Sequence, residues 1–170
     1  MLTQEELESV VDQKVDIRTA FEPKRVFYTL FREDGINDRL RGGIWINLLD
    51  AYNTKIMHGS TFFEKLVAAD NNDLHNKVTK DNICERSDIL ISKTDQTYLK
   101  PDPDKMKRVI IAYGNCDIEM GYNQGYNFLI TIMLNYIQDE EDVFWCMHKL
   151  MLEQNWREMY CTGMQRGVNN

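Results

Sequence analysis

Apolar residues recur with a helical period along most of this chain. Met106, Val109, Ile110 and Tyr113 stand at i, i+3, i+4 and i+7, a spacing that places all four on one face of an α-helix. Asp102-Pro103 lies just upstream. An aspartate there can accept from the first free N–H groups and proline's fixed φ suits the first turn, so the helix is predicted to begin at that point. Val143, Cys146, Met147, Leu150 and Met151 repeat the pattern behind the acidic run Asp139-Glu140-Glu141-Asp142, where negative charge meets the positive end of the helix dipole. Between them Phe128, Leu129, Ile132, Met133 and Tyr136 predict a helix apolar nearly all round, which is expected at the centre of the core.

The N-terminal half is drawn less sharply. Thr3-Gln4-Glu5-Glu6 ahead of Leu7 and Val10, and Thr61-Phe62-Phe63-Glu64 ahead of Leu66 and Val67, both have the form of a capping box and predict helix starts. Leu40, Ile44 and Leu48 share one helical face, interrupted by Gly42-Gly43. Each glycine costs about 1 kcal/mol against alanine in a helix, so a close neighbour is expected there. Residues 88–91 fit either a short strand or a helix end by period alone and are assigned to a helix end. The predicted fold class is therefore all-α, and a chain of 170 residues without repeats or Pro/Gly-rich linkers is expected to form one domain.

Composition narrows the function. A hydrophobic fraction of 43% with 11% aromatics supports a folded globule. A formal charge of −7 disfavours nucleic acid and anionic membrane as partners, since both are polyanions. Lys105, Lys107 and Arg108 read as the wet side of a helix. Cys84, Cys116, Cys146 and Cys161 are widely spaced, without a Cys-x-x-Cys pair, and are read as reduced thiols. His58, His75 and His148 are scattered too, so no metal site is expected. The start Met1-Leu2-Thr3-Gln4-Glu5-Glu6 is not signal-like, and the longest apolar stretch, residues 128–137, is too short to span a bilayer. A cytoplasmic protein is expected, peripheral to membranes only through a partner.

The segment most suggestive of chemistry is Gly121-Tyr122-Asn123-Gln124-Gly125-Tyr126-Asn127, which lies between two predicted helices. Glycines on both sides of a Tyr-x-Gln let the backbone bend tightly and hold Gln124 at the mouth of the following helix. An amide held there can accept and donate at once, as the orientation of a hydrolytic water requires. The alternative is a loop glutamine that satisfies exposed backbone at a helix start.

That segment does not stand alone. Residues 106–113 (Met-Lys-Arg-Val-Ile-Ile-Ala-Tyr), then 121–128 (Gly-Tyr-Asn-Gln-Gly-Tyr-Asn-Phe), then 141–146 (Glu-Asp-Val-Phe-Trp-Cys) resemble, in order and spacing, the TBC domain of Rab GTPase-activating proteins. Upstream, Gly35-Ile36-Asn37 and Arg41-Gly42-Gly43-Ile44-Trp45 are similar to the family's opening signature, with Asn37 where proline is usual. The resemblance divides the chain into a helical lead, residues 1–34, and a TBC-like domain, residues 35–170. It implies an all-helical fold whose second subdomain, which should follow Trp156-Arg157-Glu158-Met159-Tyr160, is missing. Apolar surface left uncovered in that way implies a homodimer or contact with a partner.

The implied partner is a Rab-type small GTPase and the implied activity is acceleration of its GTP hydrolysis, with no cofactor of this chain's own because Mg²⁺ belongs to the GTPase. Gln124 matches the family's glutamine finger, with Tyr122, Asn123 and Gly125 beside it on the GTPase-facing loop. Arg41 and Trp45 match structural positions, Arg41 as one member of a buried or half-buried ion pair. The arginine finger is a departure: the matching segment, residues 90–98, places Gln96 at the arginine position and Lys93 at the aspartate that would orient it. Losing both avoids an unpaired carboxylate, so weak or absent catalysis is expected. The alternatives are a surrogate cation from Lys93 or Arg86, which in the case of lysine lacks the planar fork, and a non-catalytic adaptor or helical scaffold.

Overall fold

Every regular element is helical among the residues that the computed structural model describes, which are 1–31, 35–80 and 102–160. The helices are α1 (Gln4–Gln13), α2 (Ile17–Ala20), α3 (Pro23–Leu30), α4 (Asp38–Leu48), α5 (Ala51–His58), α6 (Phe62–Val67), α7 (Asn72–Lys80), α8 (Pro103–Cys116), α9 (Tyr126–Tyr136) and α10 (Glu140–Leu152). Residues 156–160 are also helical. The expected helix end at 88–91, along with Cys84, Arg86, Lys93, Gln96 and Cys161, lies outside the described residues. The structure contains no described helix long and apolar enough to cross a membrane.

Three starts follow the expected chemistry. Thr3 forms a complete capping box with Glu6, Asp102 accepts from the N–H groups of Asp104 and Lys105, and Asp139 accepts from Glu141 N–H. The fourth helix, α6, also starts where expected, after Thr61, but without the capping box. Thr61 has φ −103° and ψ −2°, and its side chain makes no cap bond; a cap oxygen reaches back over the helix end only from extended backbone. Glu64, the other half of that expected box, instead accepts from Arg108 Nη2 at 2.6 Å.

The centre of the main core also differs from expectation. Helix α8 occupies it: Met106, Val109, Ile110, Ile111, Ala112, Tyr113 and Gly114 are all buried, because α6, α7, α9 and α10 surround it. Helix α10 supplies the opposite wall with an unbroken buried run, Val143 to Met147. Helix α9 is flanking instead. It buries Tyr126, Asn127, Ile130, Thr131 and Met133, while Ile132 is 45% exposed and Phe128, Leu129 and Tyr136 are half-buried. Apolar composition records how greasy a helix is, whereas centrality depends on how many neighbours pack on it, and α8 has more.

A second cluster joins Leu2, Leu7, Val10, Ile17 and Val26 to Leu40 and Ile44 of α4. Buried polar groups there are paired: Thr29 Oγ1 accepts from Leu2 N–H at 2.7 Å and Asn47 Oδ1 from Ile17 N–H at 2.7 Å. Helix α4 sits between this cluster and α9, and Gly42-Gly43 permit it. A Cβ on Gly42 would fall on the Tyr136 carbonyl oxygen, and one on Gly43 would overlap the Val11 side chain. The expected close neighbour is therefore present on both sides.

The basic group on α8 is a further correction. Lys107 is exposed, but Arg108 is half-buried and bonds Glu140 at 2.7 Å as well as Glu64, and Lys105 Nζ donates to the Gln138 carbonyl at 2.8 Å. Arg108 thus ties α8 to α6 and α10, while Lys107 faces water. Behind them, His58, Phe62 and Trp145 stack within 5.5 Å of one another, and the His148 ring lies 5.4 Å from that of Trp145. Cys116 Sγ is 3.6 Å from His148 Nδ1. Burial, then the nearby His58 and Lys149, lower the His148 pKa against the opposing pull of Glu153 and Asp117.

Two outcomes are expected. Gly42→Ala should destabilise the fold by about 3 kcal/mol, as overpacking against backbone does, whereas Gly43→Ala should cost less because the Val11 side chain can move; urea unfolding measures both. The neutral form of His148 is the one that the fold favours, so its contribution is complete above the unfolded pKa of about 6.5 and is lost as pH falls below it. Thermal unfolding should therefore move to lower temperature between pH 7.5 and pH 5.5, and His148→Phe should flatten that change.

Candidate functional site

The loop between α8 and α9 begins at Asp117. Its N–H donates to the Tyr113 carbonyl at 2.9 Å, completing α8, and its own carbonyl accepts from Gly121 N–H at 2.8 Å, closing a turn over residues 117–121. The side chain braces the same turn, Oδ1 accepting from Met120 N–H at 3.3 Å and Oδ2 from the Tyr113 hydroxyl at 3.2 Å. Arg157 adds Nε to Oδ2 at 2.8 Å and Nη2 to Oδ1 at 3.2 Å, and Nη2 also reaches Glu119 Oε2 at 2.6 Å. Burial would raise the Asp117 pKa; the hydrogen bonds from Arg157, Met120 and Tyr113 outweigh it and hold the carboxyl below the usual carboxylate range. Burial raises the Tyr113 phenol, with Tyr126 and the Asp117 carboxylate adding to the effect, so it remains a neutral donor.

Two glycines shape the rest of the loop. Gly121 has φ +57° and Gly125 φ +117°, conformations that a Cβ would strain. Gly125 is also the N-cap of α9, with no side-chain cap, and Tyr126 N–H and Phe128 N–H close the first turn onto the carbonyls of Asn123 and Gly125. The residues between form a short hump. Tyr122 packs half-buried against the main core, Asn123 is buried, and Gln124 at the crest is exposed. Its amide makes no hydrogen bond among the described residues. Beneath the hump the Tyr126 ring meets Tyr113 edge-on at 5.4 Å and Tyr160 at 5.0 Å.

Tyr122, Asn123, Gln124 and Gly125 therefore share one loop, while Arg41 and Trp45 lie elsewhere. Arg41 Nη2 donates to the Ile36 carbonyl at 3.0 Å and to Asp38 Oδ1 at 2.7 Å, and its guanidinium sits 5.0 Å over the Tyr136 ring. Trp45 meets the same ring edge-on at 5.1 Å. Tyr136 is the last residue of α9 and Gln124 precedes its first, so the two groups are separated by the helix length, about 16 Å. Lys93 and Gln96 lie outside the described residues.

The pairing of Asp117 with Arg157 is what sequence reasoning missed, since the two lie 40 positions apart and nothing in the 156–160 segment points to Asp117. A cavity of about 280 Å³ elsewhere is lined by Lys14, Asp50, Lys55, Asp139 and Asp142 among others, with no residue of the Gln124 loop. Burial would lower the Lys55 pKa there, but bonds to Asp142 and Glu141 raise it. No group of three His, Cys, Asp or Glu side chains able to hold a metal occurs among the described residues.

Residues 38–170 match the Rab-GTPase-TBC domain family. TBC1 domain family member 2A of Mus musculus is 44% identical over 45 residues, covering 26% of this chain and 5% of that protein. GTPase-activating protein GYP5 of Eremothecium gossypii is 27% identical over 131 residues, 77% of this chain and 14% of its own. Growth hormone-regulated TBC protein 1 of Xenopus tropicalis is 27% identical over 119 residues, 69% of this chain and 34% of its own. The chain thus spans about a third or less of the length of these relatives. No solved structure matches it. The all-helical architecture and a family match over most of the chain agree: this chain belongs to the Rab-GTPase-TBC domain family.

Proposed function

We propose that this chain engages a Rab-type small GTPase carrying GTP and presents Gln124 to the bound nucleotide. The observation that carries the reading is the exposure of Gln124 on a hump whose neighbours are anchored: Tyr122 against the core, Asn123 buried, and Gly121 and Gly125 at positive φ. A glutamine amide so held is able to orient an attacking water for phosphoryl transfer. Tyr122, Asn123 and Gly125 would lie at the GTPase surface. Such a protein works from the cytoplasmic side, reaches membranes through its partner and needs no cofactor, Mg²⁺ being the GTPase's own. The lead, residues 1–34, braces α4 through α1 and α2, ahead of the TBC-like region from residue 35.

A second reading, a Rab-binding adaptor without catalysis, is favoured by one feature of the sequence: Gln96 and Lys93 stand where the family resemblance calls for an arginine finger and its aspartate. Self-association through exposed apolar residues, Ile118, Trp156 and Met159 among them, would accompany either reading.

Gln124→Ala should leave stability within about 0.5 kcal/mol of wild type, as for other surface substitutions, and should abolish any acceleration of GTP hydrolysis by a Rab that still binds. Thermal unfolding and single-turnover hydrolysis across a Rab panel, beside a binding assay, read the two halves. Binding without acceleration by the wild type would establish the adaptor instead. Lys93→Asp with Gln96→Arg should raise hydrolysis toward the ~10³-fold low end for arginine fingers, and Gln96→Arg alone should do less because nothing orients the guanidinium. Equal effects of the single and double variants would count against a restored finger.

A further inference from the structure

We propose that Arg157 is the positioning residue of the Gln124 loop: one guanidinium, arriving from beyond α10, clasps both limbs of the turn that leads into the hump. The functional half of this inference rests on the activator reading above, whereas the mechanical half does not.

Asp117 is the hinge of the loop, ending α8 with its N–H and closing the turn with its carbonyl. Its carboxylate, 8% exposed, takes Met120 N–H, the Tyr113 hydroxyl and two donors of Arg157. The same guanidinium bonds Glu119, whose side chain is 84% exposed and which has no other ion pair among the described residues. Arg157 therefore joins a buried anchor to an exposed limb, which uses the planar fork of arginine and is beyond the single point charge of lysine.

Within that limb Ile118 and Glu119 are exposed, while Met120 is buried. Tyr122 and Asn123 anchor the later part. Removing Arg157 would leave a buried carboxylate short of its cation, and the exposed Glu119 limb would lose its ion pair to the anchor at Asp117. Geometry of this kind matters because misplacing a catalytic group by 1 Å can cost about 10²-fold in rate.

The test compares wild type with Arg157→Ala, Arg157→Lys, and Asp117→Asn with Arg157→Gln, which removes both charges together and leaves no buried carboxylate unpaired. Amide hydrogen exchange is read residue by residue with no GTPase present. Exchange over residues 118–125 should quicken about tenfold or more in Arg157→Ala, and less in Arg157→Lys, while the interiors of α8 and α9 keep their protection. Unchanged exchange at 118–125, or quickening spread evenly through both helices, overturns the clamp. If Arg157→Ala does not fold, the double variant is read by the same two criteria and decides the question.

Single-turnover GTP hydrolysis by a Rab-panel member that the wild type accelerates then reads the consequence. The expected result is a kcat lowered about tenfold or more, a KM for the GTPase changed by less than about threefold, and partial recovery in Arg157→Lys. A loosened loop with both constants unchanged overturns the positioning of Gln124. Absence of acceleration by the wild type across the panel overturns the activator reading, and the exchange result alone then decides the clamp.

Discussion

The burial of α8 is the constraint on which the rest of the molecule depends. Val109, Ile110, Ala112 and Tyr113 have no exposed surface, and fully burying a large apolar side chain contributes about 1.5–3 kcal/mol. The packing is tight as well as apolar: a Cβ on Gly114 would come within 2.8 Å of Leu74 Cδ1, so α7 lies directly on the helix. A column held by four neighbours leaves its C-terminal end little freedom. Asp117 emerges from that end, so the loop carrying Gln124 starts from a fixed point, which is the support that a precisely aimed side chain on a loop requires.

Charge serves the same packing. The chain is acidic overall, and much of its positive charge is used between helices. Lys55 of α5 faces Asp139, Glu141 and Asp142 at the start of α10 within 3.4 Å, and Arg108 joins α8 to α6 and α10. These pairs are partly buried, so part of their Coulomb gain is offset by desolvation. Their effect is better described as register, since each joins elements already brought together by apolar burial.

How far the fold is legible depends on which signal an element carries. Helices α8 and α10 announce both ends of their logic, an aspartate cap and an apolar period, and both appear where the pattern puts them. The glycine pair in α4 is readable because its cost demands a neighbour, and Tyr136 and Val11 supply one. Other elements carry no such signal. Helix α2 has four residues, fewer than a period needs, and α5 follows Asp50 in the left-handed conformation with no side-chain cap. Thr61 matches a capping box in letters, but its backbone is helical. The placement of α9 at the flank is not readable, since its composition says nothing of how many helices pack on it. In the site, Gly121 and Gly125 mark the loop in sequence, whereas the pairing of Asp117 with Arg157 is a product of the tertiary fold alone.

The two ends of α9 then take on separate meanings. At its N-terminus lie Gly125 and the hump with Gln124; at its C-terminus Tyr136 is gripped by Arg41 over one face and Trp45 at its edge, while its carbonyl closes against Gly42. A helix of three turns is stiff over that distance, so displacement at one end reaches the other as a tilt. Arg41 and Trp45 therefore hold the end of α9 farthest from the loop, and Asp117 ends α8 at the start of the loop. The hump is flanked by both helices, with Tyr122 packed on the core, Asn123 buried and Gln124 exposed at the crest.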